Sequence, residues 1–99
     1  ASRVVREAVA REIHYFSGEL ANDLRASAPF SSMPGEDVAM IADLVVHTVL
    51  NLTADLLELG ERQTVREHEI VARAVKQLRL IFLGAGQWRP ERGAVSPPA

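Results

Sequence analysis

The stretch Ala39 to Leu57, AMIADLVVHTVLNLTADLL, restricts the fold more than any other part of the chain. Its apolar residues are too dense for a loop, and its polar residues are too regular to be accidental. Asp43, His47, Asn51 and Asp55 recur at every fourth position, which aligns them in one row along a helix. On a wheel of about 100° per residue, the apolar positions from Val38 to Leu59 cover roughly half the circumference or more. Met40, Leu44 and Ala54 interrupt the polar side as well. A helix that closes a core on one side needs an apolar arc of only about 100°. This helix is therefore expected to touch protein on two sides, or protein on one side and a ligand on another.

Its apolar character also raises the question of a membrane. A span requires about 20 consecutive, predominantly apolar residues. The longest uncharged run, Leu44 to Ala54, is about half that length and contains His47 and Asn51. The sequence thus predicts a soluble chain that does not enter a membrane, and without a signal-peptide pattern at its start a cytoplasmic location is expected.

Two further helices accompany the apolar one. The first is expected from about Ser2 to Ala26, with Ser2 as its cap and Val5, Val9, Ile13, Phe16, Leu20 and Leu24 as a narrow apolar stripe. The run Ala28 to Gly35, with two prolines and a glycine, ends it. The apolar helix then runs from about Pro34 or Glu36 to Leu59, and Gly60 stands where a glycine cap belongs. The third opens on Thr64-Val65-Arg66-Glu67, a capping-box pattern, and continues to about Trp88 before Arg89-Pro90. Its apolar face holds Ile70, Val71, Ala74, Val75, Leu78, Ile81, Phe82 and Ala85, with Arg62, Arg66, Arg73, Lys76 and Arg79 mostly opposite on a solvated side. Gly84 and Gly86 lie in its last turns, where the Trp88 indole can fold back or a partner helix can come close. Residues 91–99 have no apolar period and read as a loose tail.

The expected class is all-α: three long antiparallel helices over residues 1–90, with no strand alternation and no repeat. With 99 residues, 47% of them apolar, each helix of a monomer has few neighbours, so pairing with a second copy is the natural way to enlarge the core. The face Val71, Val75, Leu78, Ile81, Phe82 and Ala85, joined by the second apolar side of the middle helix, is the expected homodimer interface. A net charge of −2 has the wrong sign for a nucleic-acid surface. The absence of cysteine removes disulfides, thiolate nucleophiles and Cys-type zinc sites.

Little in the chain promises catalysis. Asp43 and His47 form an i, i+4 pair, but no second cluster completes a metal site, and no metal or cofactor is expected. A nucleophile on a strained turn is also missing, so an enzyme is not expected. Between the first two helices, Phe16, Leu20, Met40 and Leu44 can supply an adaptable apolar cavity wall, with His47 and Asn51 as its polar groups. The same polar row can also be a solvated rim; Asp55 is expected on that rim, and His47 and Asn51 in the pocket or in hydrogen bonds between helices.

The stretch Gln77-Leu78-Arg79-Leu80-Ile81-Phe82-Leu83-Gly84-Ala85-Gly86-Gln87-Trp88-Arg89 resembles the close of the regulatory domain in TetR-family transcriptional regulators. Within that family it is most similar to the bacterial repressors of unsaturated fatty-acid synthesis. Ala42 to Glu58, ADLVVHTVLNLTADLLE, resembles the helix that precedes it in the same group. The resemblance spans roughly residues 3–90, and its specific part is the 13 residues from Gln77 to Arg89. It implies an effector-binding and dimerisation domain whose last two helices join a second copy in a four-helix bundle. It further implies a small apolar effector such as a fatty-acyl thioester, its charged end near Arg3, Arg6 and Arg11. No helix-turn-helix precedes Ala1, so DNA is expected as a partner only through an N-terminal domain absent from this sequence. A free-standing helical homodimeric scaffold or adaptor without a small-molecule site is the alternative.

Overall fold

The computed structural model describes residues 2–60 and 64–89, all of whose regular structure is helical. Helix α1 spans Arg3–Leu24, α2 Gly35–Leu59 and α3 Thr64–Gln87, with one 3-10 turn at Phe30–Ser32 between the first two. The fold class expected from the sequence is therefore present as three helices.

Local chemistry sets the boundaries. The Ser2 hydroxyl oxygen accepts from the Val5 N–H at 3.1 Å, which satisfies one of the open donors at the start of α1. Glu36 and Asp37 occupy the first turn of α2, where the helix dipole favours negative charge. Gly60 ends α2 at φ 75°, a left-handed conformation that any side chain would strain. Helix α3 already includes Thr64, one residue earlier than a cap would sit. Residues 61–63, the expected tail at 91–99 and Pro90 lie outside the described residues.

Helix α2 is the middle element, packed against α1 on one flank and α3 on the other. Both neighbours run antiparallel to it. Arg25, just past α1, donates from Nη2 to the Gly35 carbonyl at 3.3 Å, while Trp88, just past α3, donates from Nε1 to Asp37 Oδ2 at 2.8 Å. The ends of α1 and α3 thus meet the start of α2.

The core lies at that same end. Ala21, Phe30, Val38, Ala42 and Ala85 are buried together, with Leu20, Leu24, Met33 and Ile41 packed around them. Phe30 closes it from the connecting segment, its ring edge-on to Phe82 at 6.1 Å between centroids. Toward the other end burial fades: Val4 is 73% exposed, Leu57 79% and Val65 73%. The chain's accessible surface, 7978 Å², compares with about 5,500 Å² for a compact monomer of this mass.

Two sequence expectations change here. The Trp88 indole does not lie over Gly84. The space beside Gly84 is open, and the indole reaches across to Asp37. Helix α2, taken whole, is long and apolar enough by length and composition to cross a membrane, although its uncharged core is short. Asp43 and Asp55 stand far enough apart to leave the average apolar.

The Trp88–Asp37 bond links the two ends of the α2–α3 hairpin, and Trp88 is the only tryptophan. Asp37→Ala is expected to lower unfolding free energy by about 1 kcal/mol, with a shifted tryptophan emission, while Asp37→Asn retains most of both. Urea unfolding followed by fluorescence measures this.

Candidate functional site

The three helices form a single layer with two unlike faces. At about 100° per residue, Val38, Val45, Val49 and Leu56 share one side of α2, while Met40, Asp43, His47, Asn51 and Glu58 share the other. The first side is the core side, and Val38 on it is fully buried. Asp43, His47, Asn51 and Asp55 are all exposed, so the polar row of the sequence is a solvent-facing ridge. The His47 Nδ1–H donates to the Asp43 carbonyl at 2.8 Å, and the Asp43 carboxylate stands 3.4 Å from the same nitrogen. Both contacts lie within one helical turn and link no other element.

On the ridge side, α1 and α2 enclose an open groove of about 800 Å³. Its floor is apolar and small, formed by Gly18, Ala21, Ala39, Met40 and Leu44, and its walls bear His14, Tyr15, Asn22, Arg25 and Asp43. Gly18 leaves room there for a Cβ with nothing within 4 Å. Arg25 is held at one end by donating from Nη1 to Asn22 Oδ1 at 2.9 Å, besides its bond to the Gly35 carbonyl. The groove is a shallow trough that leaves any occupant open to water on one side.

Of the expected ligand set, only Met40 and Leu44 line this groove, and they are 57% and 55% exposed. Leu20 is half-buried against the core. Phe16, 58% exposed, points instead into a separate depression of about 360 Å³ with Val9, Ile13 and Leu50. Asn51 lies on the far flank of α2, beside Leu52, Asp55, Ile70, Arg73 and Gln77. His47 lines neither space. The six residues are thus distributed over both faces and both flanks of α2, and the chain alone does not gather them around one cavity. Arg11 borders the Phe16 depression. Among the described residues no three His, Asp or Glu side chains come together.

The expected interface set divides differently. Val71, Val75 and Phe82 are 39%, 45% and 41% exposed and follow one line along α3. Leu78 and Ile81 are half-buried toward α2. Ala85 is 5% exposed and belongs to the chain's own core, which corrects its placement on an outward face. The wheel explains the correction: Ala85 falls in line with Ala74 and Ile81, about 60° from Phe82. Val75, Leu78 and Phe82, with Arg79 and Leu83, border an apolar depression of about 490 Å³.

Sequence reasoning did not anticipate Tyr15, Asn22 and Arg25 as groove walls, or Phe30 as the lid of the core. The stripe on α1 drew attention to Val5, Val9 and Phe16, but the helix turns Ser17 and Ala21 toward α2. Small residues permit the closer approach, and the i, i+4 pair Ser17 and Ala21 was the available signal. No family model matches the chain, and no solved structure matches it.

Exposed residues whose bonds stay within one helical turn contribute little to stability. His47→Leu and Asn51→Leu are each expected to change the unfolding free energy by less than about 0.5 kcal/mol. Thermal unfolding of the two variants is the check.

Proposed function

We propose that this chain is the effector-binding and dimerisation domain of a TetR-family transcriptional repressor. The observation that carries the proposal is the antiparallel α2–α3 hairpin whose exposed apolar line, Val71, Val75 and Phe82, continues beside exposed Val49 and the half-buried Val45, Leu56 and Leu78. A pair of long helices with one open apolar side is half of a four-helix bundle, and a twofold copy supplies the other half. The resemblance of Gln77 to Arg89 to the end of such domains agrees with that role. DNA contact then belongs to a helix-turn-helix domain outside these residues, and an effector acts through its different affinity for two spacings of the DNA-binding heads.

A cytoplasmic, membrane-free setting follows from the same arrangement. Helix α2 has the composition of a span, but its ridge carries Asp43, His47, Asn51 and Asp55, and the helices on its flanks bear most of the chain's arginines. Hydrocarbon would have to take in those charges as well.

The effector is proposed to be a small, largely apolar molecule, with a fatty-acyl thioester as the leading chemistry. Apolar walls are available in the α1–α2 groove and in the Phe16 depression, which Arg11 borders. A second reading, a homodimeric helical scaffold without a small-molecule site, is favoured by the openness of that groove and by the separation of Phe16, Leu20, Met40, Leu44, His47 and Asn51.

Light scattering at micromolar concentration is expected to give a dimer, and Phe82→Glu a monomer or aggregate, because the charge would be desolvated in the seam. A monomeric wild type removes both readings. Long-chain acyl thioesters at about 100 times their dissociation constant are expected to stabilise the dimer by roughly 2.7 kcal/mol in thermal unfolding. A dimer that no acyl thioester stabilises favours the scaffold.

A further inference from the structure

Helix α1 bears an apolar line of its own that nothing in the chain covers. Val5, Val9 and Phe16 are 52%, 51% and 58% exposed, although their helix packs against α2 along Ser17 and Ala21. That line lies about a quarter-turn from the α2 contact. The line on α3 formed by Val71, Val75 and Phe82 lies a similar angle from its own contact, in the opposite sense of rotation. Because α1 and α3 are parallel to each other on opposite flanks of α2, both lines look out of the same face of the layer. They share that face with Val45, Val49 and Leu56.

The two lines have the same spacing. Val5, Val9 and Phe16 are separated by four and then seven residues, and so are Val71, Val75 and Phe82. Each borders a shallow depression, one lined by Val9, Ile13, Phe16 and Leu50, the other by Val75, Leu78, Phe82 and Leu83. Their charged borders differ in sign. Glu12 lies on the outer edge of the α1 line, and Arg79 on the outer edge of the α3 line. Arg11, which also touches the α1 depression, points to the opposite side of the helix. Among the described residues neither Glu12 nor Arg79 has an ion-pair partner within the chain.

We infer that a second copy of the chain covers this face with its twofold axis along the helices, so that α1 of each copy lies on α3 of the other. This rests on the dimeric reading above and widens its four-helix pairing to six helices. Such an axis places α2 over α2 and lays each α1 parallel to the partner's α3. In register, Val5, Val9 and Phe16 meet Val71, Val75 and Phe82 of the partner subunit. The same register brings Glu12 beside Arg79 of the partner subunit, on the outer edge of the contact. The pairing is isologous: two identical strips form, and no apolar line remains open. Opposite charges at the edge fix the register, since sliding by one turn separates them.

The absence of cysteine makes this directly testable by cross-linking. Val9→Cys and Val75→Cys chains, prepared separately and mixed in equal amounts, are oxidised under mild conditions. A mixed disulfide that dominates over both homodisulfides is the expected result. A dimer that yields only the Val75→Cys homodisulfide, or no disulfide, overturns the α1–α3 pairing and leaves the dimeric reading in place. A chain that stays monomeric overturns both. A charge reversal supplies a second measurement. Glu12→Arg and Arg79→Glu are each expected to raise the dimer dissociation constant about three- to tenfold. The double variant, which restores opposite charges across the seam, is expected to return within about twofold of the wild type. Equal weakening in the double variant overturns the register.

Discussion

Close contact between small side chains at one end of α2 organises the whole chain. Ala21, Ala42 and Ala85 surround Val38, and no residue in that group is larger than valine. Both flanking helices can therefore approach the same stretch of α2 closely, and dispersion contacts there are dense for little buried volume. Phe30 then closes the group from the connection, and the Trp88 and Arg25 side chains join the ends of the helices to the first turn of α2. With α1 and α3 held on opposite flanks of α2, the chain forms a single layer.

A layer has two faces, and the sequence of α2 assigns them. The ridge of Asp43, His47, Asn51 and Asp55 suits water, and the opposite side of valines and leucines suits protein. Chains with this much exposed apolar surface rarely persist as monomers, since the largest apolar patch on a soluble monomer is commonly about 300–600 Å². The incomplete core and the uncovered face are thus one fact, which the proposed dimer resolves.

Much of this was legible in the residues. The three helices were evident from apolar spacing, and their ends from Ser2, Gly60 and the proline-rich connection, because these depend on local chemistry. The excess of apolar surface on α2 called for protein on two sides, or for protein on one and a ligand on another, and α2 has protein on both flanks. What could not be read was the rotation of each helix about its axis. Of the α1 stripe, Ile13, Leu20 and Leu24 turned inward, whereas Val5, Val9 and Phe16 stayed exposed and Ser17 and Ala21 took the closest contact, because contact distance favoured small residues over greasy ones. Ala85 moved for the same reason, from the outer face to the core. The polar row was visible from the start. Whether it faced a pocket or water depended on how α1 and α3 pack around α2, which no local pattern encodes. Phe30 shows the remaining limit: a single aromatic in a turn carries no period.

A core confined to one end also makes stability uneven along the helices. Amide groups near Val38 and Ala85, at the buried core, are expected to open last. Those near Val4, Leu57 and Val65 lie where little side-chain packing resists fraying. Slow hydrogen exchange should therefore grade lengthwise within every helix, with no helix uniformly firm. At the loose end, whatever protection exists would come from association. That end would lose protection on dilution, whereas the Phe30 end would keep it, so the chain carries both a concentration-dependent and a concentration-independent half.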